Sequence, residues 1–135
     1  MLEIKLCNTA LRLDFSFFAV MALFFFFDEH GTGASALCAC LCHELGHLIM
    51  MCAFGAPLRS ITLYGAGIRI SSELEHLTRG RKTAVLAAGC TVNLALSLAS
   101  YLCGNMQFLA ANAVLCVFNL LPLGELDGAL LLRQA

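Results

Sequence analysis

The sequence predicts an all-α membrane protein of about four transmembrane helices, with one short β-hairpin inserted after the second. Three observations carry that prediction. Only 13% of the residues are charged and 60% are hydrophobic, with a mean hydropathy of +0.85, whereas a soluble domain carries about 25% charged residues. Four long apolar stretches follow one another along a chain of 135 residues. Between the second and the third, the pattern changes to an alternation of apolar and polar residues, the period of a half-buried strand. The length bounds a single domain over residues 1–135. A net charge of -1 offers no electrostatic footing for nucleic acid.

The first apolar stretch covers residues 13–27 and ends in Phe24-Phe25-Phe26-Phe27. It is short against the roughly 20 residues that cross a hydrocarbon core, and reaches a span when counted from Leu11 with Arg12 snorkelling to the surface. The competing reading is a signal peptide, with Lys5 and Arg12 before the apolar run and Ala34-Ser35-Ala36 imitating a cleavage site. Residues 34–54 form the second helix, stopped by Gly55-Ala56-Pro57. In residues 59–71, Ile61 and Leu63 alternate with Thr62 and Tyr64. Beyond Gly65-Ala66-Gly67, Ile68 and Ile70 alternate with Arg69 and Ser71, which reads as a hairpin about a glycine turn. Residues 72–81 are a polar loop, residues 82–103 a third span, and residues 106–121 a fourth, broken by Pro122.

The basic residues set the orientation. With four spans, Lys5, Arg12, Arg59, Arg69, Arg79, Arg81, Lys82 and Arg133 all fall on one side, while the opposite loops at 28–33 and 104–105 hold none. By the positive-inside rule the two termini and the hairpin are cytoplasmic. Of the eight cysteines, Cys38, Cys40, Cys42, Cys52, Cys90, Cys103 and Cys116 sit in apolar runs and read as small hydrophobes rather than a disulfide framework. Cys40 and Cys42 come closest in sequence to the charged cluster of the second span.

That cluster is His43-Glu44-Leu45-Gly46-His47. Residues four apart share a helix face, so the two imidazoles can hold one metal ion, with Glu44 beside them as a general base. Ionisable groups inside a span are costly and mark function by default; the bland reading is a polar helix–helix contact. A catalytic zinc takes three protein ligands plus an open position, so a third ligand must come from another element. The second and fourth spans run in the same direction. His43 lies roughly 16 Å from its helix end at 1.5 Å per residue, and Asp127 follows the fourth span at that end. Glu125 is the rival carboxylate, on a different face if the helix continues. His30 and His76 fall in loops and are set aside.

The pair of motifs formed by His43-Glu44-Leu45-Gly46-His47 and Asn119-Leu120-Leu121-Pro122-Leu123-Gly124-Glu125-Leu126-Asp127-Gly128 resembles the site-2 protease family of intramembrane zinc metalloproteases. Ala88-Gly89-Cys90-Thr91-Val92-Asn93 is similar to that family's A-G-P-x-x-N stretch, with Cys90 where a proline is usual. The layout is closest to the branch that processes a sporulation sigma-factor precursor, which implies a bacterial plasma membrane. The resemblance implies one zinc held by His43, His47 and Asp127, with Glu44 handling protons and Asn119 steadying a developing oxyanion. Asn119 could instead simply brace the break before Pro122, and Gly46 either makes room at the metal or packs helices. The hairpin edge would receive an unwound substrate as an added strand, or serve as a plain surface element.

The function expected is zinc-dependent cleavage of a membrane-anchored protein within the lipid bilayer, near the cytoplasmic face. A regulatory membrane partner or self-association is expected too, because many relatives continue past Leu126-Asp127-Gly128 with further spans or a sensing domain. The chain reads as a minimal form, a fragment, or a protein needing a partner. Two other classes compete: a zinc-holding scaffold or pseudoprotease, which has no need of Glu44, and a metal transporter, which needs polar sites through the whole membrane depth.

Overall fold

The computed structural model describes residues 2–6, 9–64, 67–72, 74–124 and 126–134. Its elements in order are β1 (Leu2–Leu6), β2 (Thr9–Leu13), α1 (Phe15–Phe27), α2 (Thr32–Ala53), β3 (Leu58–Tyr64), β4 (Gly67–Ser72), α3 (Arg79–Leu102), α4 (Met106–Leu120) and α5 (Asp127–Gln134). The four strands form one sheet in the order β1-β2-β3-β4. The outer pairs are antiparallel and the central pair is parallel, with Leu11 opposite Ile61. A parallel pair needs a long crossover, and here α1 and α2 supply it.

The expectation of an all-α chain with one hairpin is therefore corrected. The hairpin exists as β3 and β4, though its turn residues Gly65 and Ala66 lie outside the described residues. It is half of a larger sheet. Leu11, Arg12 and Leu13, counted from sequence toward the first span, belong to β2. The reason is tertiary: β2 is completed by β3, about fifty residues later, a pairing invisible to a local window. What remains, α1, has 13 residues, and α4 has 15. Among the described residues, two helices, Thr32–Ala53 and Arg79–Leu102, are long and apolar enough to cross a membrane.

Local chemistry sets the helix ends. At the start of α2, the Asp28 carboxylate accepts the backbone N–H of Ala34 at 3.0 Å. Bonds from the amides of Gly33 and Ala34 hold that carboxyl below its ordinary range. At its end, Gly55 takes φ 67, and the amides of Gly55 and Ala56 donate to the carbonyls of Cys52 and Met51. This is the paired-bond stop that a left-handed glycine permits. Gly104 repeats it between α3 and α4, with Asn105 reaching back to Ser100 and accepting from Phe108. The result is a tight antiparallel α3–α4 hairpin. Gln107 then ties that turn to the α1–α2 loop through the His30 carbonyl and the Thr32 hydroxyl. These loops share one end of the bundle. The opposite end carries the sheet, joined to α1 where the amide of Asp14 donates to Leu63.

The helices bury small and polar residues and expose large apolar ones. Leu41, Leu45 and Ile49 on α2, Leu94 and Leu98 on α3, and Val114 and Val117 on α4 are exposed. Ala39, Ala88, His43, His47, Asn93 and Asn112 are buried. Soluble monomers rarely expose so wide an apolar surface, and helices packed through small residues are the membrane arrangement. Gly46 shows the reason for small residues: a Cβ there would lie 2.9 Å from Val92 and 3.0 Å from the Ala88 carbonyl oxygen. Of the two readings of Gly46, helix packing is the one its surroundings describe.

Candidate metal centre

His43 and His47 project from the same face of α2 toward α3, and both are buried, at 3% and 6% exposure. Asp127 arrives from the other end of the chain. After Leu120 the helix stops, because Pro122 cannot continue it. Leu121 is extended with ψ 140, and Gly124 turns with φ 58. The chain restarts as α5 at Asp127. Glu125, the rival carboxylate, lies outside the described residues, and the premise of a continuing helix does not hold. Gly128 lets α5 close against the end of α4, since a Cβ there would collide with the Leu120 carbonyl. This returns Asp127 to α2.

The three side chains converge on one point. Nε2 of His43, Nε2 of His47 and Oδ2 of Asp127 are each 3.1 Å from the other two. Three ligands at corners of a tetrahedron with bonds of about 2.0–2.1 Å stand roughly 3.3–3.4 Å apart, so the triangle has nearly the size a zinc ion requires. Hydrogen bonding argues the same way. Nδ1 of His47 lies 2.8 Å from the Val85 carbonyl oxygen, which can only accept, so Nδ1 carries the proton and neutral His47 keeps a lone pair on Nε2. That lone pair faces a carboxylate oxygen that also only accepts. Acceptors meeting at 3.1 Å call for a cation between them, either a metal ion or a second proton on the imidazole.

Gly89 completes the cradle from α3. A Cβ at this position would meet Nε2 of His47 and lie 2.6 and 2.7 Å from Cε1 and Nε2 of His43. Gly89→Ala should therefore weaken metal binding by at least the roughly 10–100-fold that disturbing an outer-shell partner costs. Gly80→Ala, with nothing within 4 Å, should leave it unchanged. Competition with a chelator measures both, and equal affinities in the two variants would contradict this account of Gly89.

The remaining predicted residues are placed differently. Glu44, next to His43, is half-buried and outside the triangle. Asn119 donates its amide to the Leu115 carbonyl at 3.0 Å, within its own helix. Cys40 and Cys42 are partly exposed, and the seven described cysteines are free thiols. The cysteine that approaches the centre is Cys90, whose Sγ lies within 4.8 Å of the ligand atoms of His43 and Asp127. His43, Cys90 and Asp127 thus form a second possible donor set beside the triangle of His43, His47 and Asp127. Its thiol and that of Cys116 each donate to the other's carbonyl, at 3.8 and 3.5 Å. The sequence reads Cys90 as a small hydrophobe standing where a proline is usual, not as a neighbour of the metal centre. Its place beside Gly89 on the helix facing α2 was the available signal.

Comparison with known proteins agrees with this picture. No family model matches the chain. Over 104 residues it is 35% identical to a protein of Synechocystis sp. named "Putative zinc metalloprotease sll0528", covering 68% of this chain and 27% of that protein. The chain thus spans about a quarter of the curated relative's length. Among solved structures, the site-2 protease from Methanocaldococcus jannaschii superimposes with a TM-score of 0.73 over 98% of this chain and 69% of that one, at 17% identity. The chain shares that protein's fold.

Proposed function

We propose that the chain is an intramembrane zinc endopeptidase of the site-2 protease type, cleaving a membrane-anchored protein near the cytoplasmic face. The observation that carries this is the meeting of three metal-ligand atoms beside Glu44, inside a bundle whose outer faces are apolar. The donor set of two imidazoles and one carboxylate suits zinc, as in other catalytic sites with three protein ligands. His43, His47 and Asp127 would hold the ion. When bound, it supplies Lewis acidity, polarising a carbonyl and lowering the pKa of water to about 7. Glu44 takes a proton from the attacking water and returns it to the leaving amine, so that water adds across the peptide bond. Asn119, at the last turn of α4, would turn its amide from Leu115 toward the developing oxyanion.

The fold also suggests how a substrate is held. A helical segment hides its carbonyls in hydrogen bonds and must unwind before cleavage. β3 is paired on both sides, so β4 is the edge of the hairpin open to an added strand. The layout points to the sigma-factor-processing branch and a bacterial plasma membrane.

The bundle would cross the bilayer with four helices, α1 and α4 being the short ones. Its sheet end carries Arg12 and Arg59, and its other end holds the loops after α1 and α3. A reporter fused after Asp28 should therefore read outside, and one after Glu75 cytoplasmic. A cytoplasmic signal at Asp28 would sink the four-span arrangement. The test of function is coexpression with a library of tagged single-span proteins, comparing the wild type with Glu44→Gln. Fragments that form with both proteins alike would count against the protease.

A further inference from the structure

Asn93 and Asn112 are each 0% exposed in the middle of the bundle, and each leaves its side-chain carbonyl oxygen without a partner. An unsatisfied buried acceptor is costly to a fold, and lipid offers no water in exchange. Two of them need an explanation.

Their positions are related. α3 and α4 are antiparallel, and two contacts set their register: Cys90 against Cys116, and Ser97 against Leu109. Counting inward from both, Asn93 falls level with residue 113, one position from Asn112. Asn112 donates its Nδ2 to the Phe108 carbonyl at 2.8 Å, leaving its Oδ1 to face its surroundings. On the other side, Nδ2 of Asn93 lies 3.3 Å from Nδ1 of His43.

That last contact conflicts with the metal centre as drawn. If Asn93 donates to Nδ1, neutral His43 carries its proton on Nε2, where a ligand lone pair is required. A side-chain amide has nearly the same shape after a half-turn. Turned, Asn93 presents Oδ1 to an Nδ1–H of His43 and frees Nδ2 for another acceptor. One rotation gives the orphaned oxygen of Asn93 a donor and leaves Nε2 of His43 free.

We propose that Asn93 is a positioning residue holding His43 in its metal-binding tautomer, and that Asn112 holds Asn93, as a buried relay from α4 through α3 to α2. The carbonyl oxygen of Asn112 accepts from Asn93, and that of Asn93 accepts from His43. For His47 the Val85 carbonyl plays the corresponding part. The relay rests on the reading of His43, His47 and Asp127 as metal ligands, but not on proteolysis.

The test is zinc affinity of the purified full chain, by competition with a chelator, together with thermal unfolding of the zinc-free protein. Asn93→Leu removes the acceptor and should weaken zinc about 10–100-fold without lowering the zinc-free melting temperature. Asn93→Asp keeps an acceptor oxygen and should bind zinc close to wild type, while losing the donor to Asn112. Asn112→Leu should weaken zinc by less than Asn93→Leu, and should add nothing in either Asn93 background, as coupled residues do. The relay is overturned if Asn93→Asp is as weak as Asn93→Leu, if Asn93→Leu binds like wild type, or if the Asn112 effect is absent or additive. Should Asn93→Leu fail to fold, Asn93→Asp alone and combined with Asn112→Leu decides. A wild type that binds no zinc removes the metal centre and the relay together. A wild type that binds zinc but cuts nothing removes only the protease.

Discussion

Glu44→Gln should keep zinc and lose cleavage. The substitution preserves the size of the side chain and removes its capacity to accept a proton. Glu44 lies next to His43 yet outside the triangle of His43, His47 and Asp127, so the ligand atoms are untouched. Zinc content should stay at about one ion per chain, and substrate should still associate. Cleavage should fall by at least the roughly 10²–10⁴-fold attached to general base catalysis. His43→Ala behaves differently, losing metal and cleavage together, because it removes a corner of the site. The contrast between the two separates a protease from a structural metal holder, in which Glu44 has no special task. Wild-type cleavage of a cognate substrate by Glu44→Gln would end the proposed mechanism.

Asp127→Ala should empty the site, whereas Glu125→Ala should not. Asp127 provides the only carboxylate oxygen of the triangle, at 3.1 Å from both imidazoles. Without it two neutral nitrogens remain, a set short of the three protein ligands of a catalytic zinc. Affinity should drop by more than the roughly 10–100-fold typical of losing an outer-shell partner. Metal analysis of both purified variants gives the answer directly. If Glu125→Ala strips the metal and Asp127→Ala spares it, the third ligand has been misassigned and the geometry around α5 must rearrange in solution.

The helices were legible because their signals are local. Residues 34–54 and 82–103 in the sequence reading differ from α2 and α3 by no more than three residues at either end. Gly55 and Gly104 mark their ends through a conformation that few other residues adopt. The N-terminal strands were not legible. Leu11-Arg12-Leu13 sits directly before an apolar run, and nothing within it announces a partner at Ile61 and Leu63. Cys90 was missed at the centre for a related reason: the cysteines nearest in sequence to His43 are not the nearest in space.

By itself the sequence determined a chain suited to an apolar solvent, the i,i+4 pair His43 and His47 on one face of a helix, and a helix break at Pro122. Each of these follows from composition or from the fixed repeat of a helix, and needs no knowledge of distant contacts. Only the tertiary structure decided where the third corner lies. Asp127 is separated from His43 by more than eighty residues, and it reaches the imidazoles because α4 stops at Leu120, Gly124 turns the chain, and Gly128 admits the close approach of α5. The cradle at Gly89 and the register that sets Asn93 within one position of Asn112 likewise arise from packing α3 between α2 and α4, which no local pattern specifies.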